Sequence, residues 1–260
     1  MMTGTTVHVD RTAAVATVTL RTPALTLDSK VALRDAVADV ASDTTVRAVV
    51  LAGGGKAFCV GQDLAEHSAG LADGAEAAFA TVREHYSPIV RSLLTMPKPV
   101  IAAVSGACVG AGLGFALACD YRVFAAGAKL GTAFTGIGLT FDSGLSFTLP
   151  RAVGDARAKE LILFGRMFPA EDAIAWGVTG ETVDAAQVLE RSVALARELA
   201  QGPTTAFAES KRLILEGSGL GLEAALEAEA IAQTHCGATS DHAGAVTAFL
   251  GKKKPAFAGK

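Results

Sequence analysis

Twenty consecutive residues without a charge, Val100 to Cys119, constrain this chain most. A run of that length is long enough to cross a bilayer. It even carries Gly106 and Gly110 at the G-x-x-x-G spacing of packed membrane helices. Yet Pro97 and Pro99 precede it, and Gly106, Gly110, Gly112 and Gly114 interrupt it. One straight membrane helix is therefore a poor description, and no membrane association is expected. "PVIAAV" reads as a buried strand, and "GAGLGFALA" as a tight turn entering a buried helix. Half of the 260 residues are hydrophobic and 19% are charged, so a large core around such elements is feasible.

Strand and helix signals alternate on both sides of this run. "AVATVTL" (Ala14 to Leu20) suits a strand, and Leu33, Val37 and Val40 then recur at helical spacing. "VRAVVLA" (Val46 to Ala52) is a second strand, running into the glycine-rich "GGGKAFCVGQDL". Residues 70 to 95 are alanine-rich and mostly helical, and "YRVFAA" is a third strand after the uncharged run. This alternation predicts an α/β domain around a mostly buried sheet. Beyond Asp142, "DARAKELILFG" reads as a helix closed by Gly165, and "PAEDAIAWG" as one opened by Pro169 and closed by Gly177. "QGP" (Gln201 to Pro203) breaks the chain into a core, 1–200, and a C-terminal helical region, 201–260. So short a helical region cannot make its own core and must pack on another surface, its own chain's or a neighbour's.

Several function classes fall away. Acidic residues number 26 and basic residues 23, for a net charge of -3, which leaves no broad electrostatic footprint for nucleic acid. Cys59, Cys108, Cys119 and Cys236 form no C-x-x-C pair, and three lie in apolar or glycine-rich contexts, which points to a reduced, cytoplasmic protein. The stretch "MMTGTTVHVDRTAAVATVTL" lacks the basic and apolar regions of a secretory leader. "GAGLG" lacks the spacing of a dinucleotide fingerprint, "GGGKA" lacks the rest of a P-loop, and no G-x-S-x-G elbow exists. His8, His67, His85, His235 and His242 show no metal-ligand spacing, so no metal is expected. Each histidine reads as a surface or internally satisfied residue, with His85, beside Tyr86, kept as a candidate pocket wall.

Two features remain. Each of two glycine-rich turns directly follows a buried strand. Such turns either permit close packing or aim backbone N–H groups at a ligand oxygen, as in an oxyanion hole. The second feature is "GIGLTFDSGLSFTLP", Gly136 to Pro150, whose only ionisable group is Asp142. An unpaired carboxylate among apolar groups is costly. Asp142 is therefore the N-cap of a helix starting at Ser143, part of a turn with Gly144, or a catalytic acid or base in an apolar cleft.

Taken in order, "GGGKAFCVGQDL", "PKPVIAAVSGACVGAGLGFALACDYRVFAAGAKLG", "GIGLTFDSGLSFTLPRAVG", "PAEDAIAWGVTGETV" and "AFLGKKKPAF" resemble the crotonase, or enoyl-CoA hydratase/isomerase, family over essentially the whole chain. The resemblance implies a spiral of ββα units with a C-terminal helical trimerisation region, and a homotrimer or dimer of trimers. It implies an acyl-CoA thioester as substrate, with coenzyme A carried on the substrate and no separate cofactor. The thioester oxygen would sit between the backbone N–H groups of Gln62 and Ala111. Ala57, Cys59 and Val60 would border the CoA moiety, and Lys252, the first of "KKK", would meet its phosphates, where the bare residues also read as a solvated tail.

The same resemblance bears on the reaction. Hydratases of the family place two glutamates on one water, and the matching positions here hold Gly114 and Phe134. Simple enoyl isomerases also use the second of these positions. Members that shift double bonds in conjugated or ring-containing acyl-CoAs carry an aspartate matching Asp142, and ring-epoxide isomerases of phenylacetate breakdown share the "GQDL" and "VGAG" textures. The family's 4-chlorobenzoyl-CoA dehalogenase also has that aspartate, but adds a histidine where Ser87 stands and a tryptophan where Phe134 stands. The expectation is an acyl-CoA isomerase using Asp142, with a hydratase or a catalytically weak acyl-CoA-binding paralogue as alternatives.

Overall fold

The computed structural model describes residues 6–260; residues 1–5, the start of the stretch that lacks leader features, lie outside them. The uncharged run is not one helix. It folds as a strand (Val100–Val104), a second strand (Ala107–Val109) and a fully buried helix (Ala111–Ala118). Among the described residues, no helix is long and apolar enough to cross a membrane.

This strand–strand–helix unit is one of a series. Ala48–Gly53, Val100–Val104 and Tyr121–Ala125 lie side by side and parallel in a six-stranded sheet. The strand that comes after each one, Ala57–Cys59, Ala107–Val109 and Lys129–Gly131, joins a second, four-stranded sheet in the same order. Successive units thus stack as the turns of a spiral, as expected. Helix Val188–Ala200 packs across the large sheet. Burial on both faces explains why the central strands read as continuous apolar runs. A glycine at the end of the first of these strands, and one two residues past the end of the second, are packing requirements. A Cβ at Gly53 would lie 2.4 Å from the Ala57 carbonyl oxygen, and one at Gly106 would lie 2.0 Å from that of Lys56.

Two sequence expectations need correction. The helix after Asp142 begins at Leu145, with Gly144 at its N-cap position and no capping side chain, so Asp142 is not a helix cap. Pro169 does not open a helix either. It pairs with Lys129 at the edge of the small sheet, where its missing N–H costs nothing, and Ala170–Ala175 is the helix. The first strand, Val7–Thr12, carries no clear strand signal in the sequence; it closes the large sheet as an antiparallel hairpin with Val15–Leu20.

Beyond the break at 201–203, helices Thr204–Gly217, Leu222–Gly237 and Ser240–Leu250 complete the chain. Polar anchors tie this region to the core. Lys211 Nζ meets Asp120 Oδ2 at 2.6 Å. Arg47 donates to Thr204 Oγ1 and to the carbonyls of Gly202 and Phe257. Buried Asp241 accepts the N–H groups of Ala258 and Gly259, folding the tail back.

Candidate active site

Helix Ala111–Ala118 is fixed at both ends. At its C-terminus the buried Arg122 guanidinium donates to the carbonyls of Ala116 (2.8 Å), Leu117 (3.0 Å) and Cys119. A cation there complements the helix dipole. At its N-terminus Ala111 is the first helical residue, so its N–H has no intrahelical partner. On either side, the Gly110 N–H donates to the Gly131 carbonyl at 3.0 Å, and the Gly114 N–H makes the first intrahelical bond, to the Gly110 carbonyl at 3.2 Å.

The other glycine turn comes up beside this end. Gly61 has φ 86°, and a Cβ there would lie 3.7 Å from Ala111 N. Gln62, Gly110, Ala111 and Asp142 all line one cavity of about 170 Å³. The sequence-predicted trio of Gln62, Ala111 and Asp142 is thus brought together. The remaining walls are mostly apolar, with Leu64, Phe79, Phe134, Ile137 and Leu139 prominent. A larger cavity, about 920 Å³, lies elsewhere, between the core and helix Thr204–Gly217, and touches neither glycine turn.

Asp142 is half-buried. Its carbonyl accepts the N–H of Leu145 at 3.0 Å, closing a turn in which Ser143 (φ 51°) and Gly144 (φ 74°) both have positive φ. The turn reading of the sequence is therefore met, and the residue still lines the cavity. Burial raises its pKa above the usual carboxylate value, and the Ser143 hydroxyl, donating to Oδ1 at 2.7 Å, offsets this in part. Among the described residues, Asp142 is the cavity's only acidic side chain. Ser143 and Ala133 (φ 58°) hold positive φ without being glycine; Ala133 lines the cavity and Ser143 adjoins Asp142. Such strain persists only where the surroundings hold it, and it clusters at functional sites.

Other predicted site residues fare differently. Val60 lines the cavity and is exposed at its rim. Ala57 is half-buried in its strand, and Cys59 is wholly enclosed, its thiol pushed up to about 12 by burial, so neither side chain borders the cavity. Lys252 is exposed just past helix Ser240–Leu250 and does not line the cavity. His85 is not a pocket wall. It is buried, with its Nδ1 3.1 Å from Thr81 Oγ1, and burial, reinforced by nearby Lys30 and Arg34, lowers its pKa. His67, expected to be a surface or internally satisfied residue, lines the cavity instead, edge-on to Phe79. No periodic signal marked it, because its helix, Leu64–Gly70, buries no residue fully.

The family model described as Enoyl-CoA hydratase/isomerase matches residues 10–260. The chain is 37% identical to 1,2-epoxyphenylacetyl-CoA isomerase of Escherichia coli, over 88% of this chain and 87% of that protein. It is 32% identical to crotonyl-CoA hydratase of Syntrophomonas wolfei, over 91% and 90% respectively. A crystal structure from Mycobacterium abscessus, provisionally assigned as an enoyl-CoA hydratase/isomerase, superposes with a TM-score of 0.94 at 46% identity, covering 98% of this chain and 100% of that one. A spiral of ββα units, two adjoining glycine turns and a match along nearly the whole length lead to one conclusion: this chain belongs to the enoyl-CoA hydratase/isomerase, or crotonase, family.

Proposed function

We propose that the protein is an acyl-CoA isomerase that moves a double bond or rearranges a ring epoxide next to the thioester. The N–H groups of Gln62 and Ala111 hold the thioester oxygen. Asp142 takes a proton from one carbon of the acyl group, negative charge develops on the held oxygen as an enolate, and Asp142 returns the proton to another carbon. Each fixed donor of this kind is worth about 3 kcal/mol at the transition state. A carboxylate with a raised pKa suits both halves of the transfer near neutral pH.

One observation carries the choice of isomerase over hydratase. Addition of water calls for an acid and a base on one water, yet Asp142 is the cavity's only acidic side chain among the described residues. At the matching glutamate positions, Phe134 is a cavity wall, and Gly114 is closed off: a Cβ there would lie 2.4 Å from the Ser143 carbonyl oxygen. A glutamate at 114 would displace the turn that presents Asp142. The test is a turnover screen over 2-enoyl, 3-enoyl, dienoyl and aryl-epoxide CoA esters. Isomerisation with at most trace hydration is expected. Dominant hydration of the 2-enoyl ester would restore the hydratase reading, and binding of the esters without turnover would leave an acyl-CoA-binding paralogue.

The same reading makes the protein a homotrimer or a dimer of trimers, with Lys252 meeting the phosphates of CoA bound to its own or a neighbouring subunit. The C-terminal helices support it by leaving large apolar side chains uncovered, among them Ile214 (79% exposed) and Phe249 (82%). Lys252→Ala is expected to weaken CoA-ester binding and flatten its salt dependence, since one exposed charge pair is lost. Sedimentation at micromolar concentration is expected to give a trimer or hexamer for wild type and variant alike. Unchanged salt dependence would make "KKK" a solvated tail, and a sedimenting monomer would remove the assembly. The four free cysteines, three of them buried, support a reducing compartment such as the cytoplasm.

A further inference from the structure

We propose that the hydroxyl of Tyr86 recognises an oxygen atom carried by the acyl group itself, so that the cavity is built for oxygenated, ring-sized acyl thioesters rather than plain hydrocarbon ones. The inference rests on the acyl-CoA isomerase reading for the placement of the thioester. Tyr86 lines the cavity and is 1% exposed, with its ring edge-on to Phe115 at 6.0 Å between centroids. Its hydroxyl's only hydrogen-bond partner among the described residues is Gln62 Oε1, at 3.5 Å. An O–H···O bond is normally about 2.7–2.8 Å, so this contact scarcely uses the donor. Buried tyrosine hydroxyls usually find a partner, and phenylalanine would pack on Phe115 equally well without one.

The backbone singles out the same residue. Tyr86 ends a π-helical turn, Val82–Tyr86, set between helices Ala75–Thr81 and Ser87–Thr95. Such a turn inserts one residue into the helical path, and at 3.6 residues per turn one residue rotates the next helix by about 100°. π-turns of this kind occur often at functional sites.

The polar groups of the cavity exceed what the proposed chemistry uses. The thioester oxygen takes two backbone donors, and proton transfer takes Asp142; neither step uses the phenol. Burial, and then the nearby Asp142 carboxylate, push the phenol's pKa far up, so it remains a donor. His67, on the same cavity, has its Nδ1 enclosed without a hydrogen-bond partner among the described residues. A hydrocarbon acyl group would leave these groups unpaired, which a buried site penalises. Size narrows the class further. A dry cavity of about 150 Å³ accepts benzene, and this one measures about 170 Å³, walled by Phe79, Phe134, Ile137 and Leu139. It suits one ring bearing an oxygen close to the thioester arm.

The test uses two non-isomerising ligands, phenylacetyl-CoA and 2-hydroxyphenylacetyl-CoA, titrated calorimetrically into wild type and Tyr86→Phe. Wild type is expected to bind the hydroxylated ester about tenfold more tightly, the scale of one good hydrogen bond. Tyr86→Phe is expected to equalise the two while keeping wild-type affinity for phenylacetyl-CoA. Absence of a preference in wild type, a preference surviving in Tyr86→Phe, or equal weakening of both esters would each overturn the proposal. The first of these needs no variant, so misfolding of Tyr86→Phe cannot shield it. The outcome is also separate from that of the isomerase reading. A preference lost in Tyr86→Phe stands even where no ester is turned over, whereas turnover without a preference leaves the isomerase and removes the role of Tyr86.

Discussion

Asp142→Asn is expected to lower isomerisation by about 10²- to 10⁴-fold, the usual contribution of a positioned acid–base group. Asparagine keeps the size of the side chain and can still accept the Ser143 hydroxyl, but it cannot carry the proton. Binding of CoA esters should therefore change little. Stability gives an independent control. Burial raises the pKa of Asp142 in the folded state, so its ionisation opposes folding. Its contribution is most favourable below the unfolded-state pKa, falls as pH rises toward the folded-state pKa, and stays unfavourable above it. Asp142→Asn removes that penalty, so Tm at neutral pH should hold or rise. The pH–rate profile reads the same group. If ionised Asp142 is the base, wild-type activity should fall on the acid side with a midpoint above the ordinary carboxylate value of 3.8. Whatever residual rate the variant keeps should lack that limb. A variant rate within about twofold of wild type would sink the proton-shuttle role.

What the sequence made legible and what it hid obey different physics. The central strands were legible because burial on both faces demands unbroken apolar runs, and "VIAAV" can do little else. The helix with Leu33, Val37 and Val40 was legible because one face alone is buried, which leaves a 3.6-residue period; all three residues are in the core. The glycine turns were visible, but their meaning was divided between packing and ligand binding. The structure separates the positions: Gly53 and Gly106 admit a neighbouring backbone, while Gly61 and Gly110 take positive φ and line the cavity. Local pattern could not reveal Ser143 and Ala133 in left-handed conformations, because tertiary contacts and not residue type hold them there. Nor could it reveal the π-turn at Val82–Tyr86, in which His85 is buried against Thr81 and not on the cavity wall. His67 and the closure of Gly114 against Ser143 likewise depend on segments far apart in the chain, which no periodicity connects.

Ala111→Pro should be the second severe lesion, and here the fold lets the chemistry be removed cleanly. Proline is destructive inside a helix because it deletes an N–H that bonds the preceding turn. At the first helical position that N–H has no intrahelical partner and the φ of proline already fits. Ala111 occupies that position, and the N–H groups of Gly110 before it and Gly114 three residues on keep their own carbonyl partners. The residue before the new proline would be Gly110, which tolerates the restriction that proline places on its predecessor. The variant should therefore fold, with circular dichroism and Tm close to wild type, while losing one of the two proposed donors. Turnover should fall about 10²- to 10³-fold. Ester affinity should fall less, because a donor aimed at the thioester oxygen gains most as charge develops in the transition state. Ala111→Gly supplies the matched control: it trims the side chain, keeps the N–H, and should retain most of the turnover. Wild-type turnover in Ala111→Pro would remove Ala111 from the oxyanion site. Equal losses in both variants would assign the effect to packing at the start of the helix, and not to the missing donor.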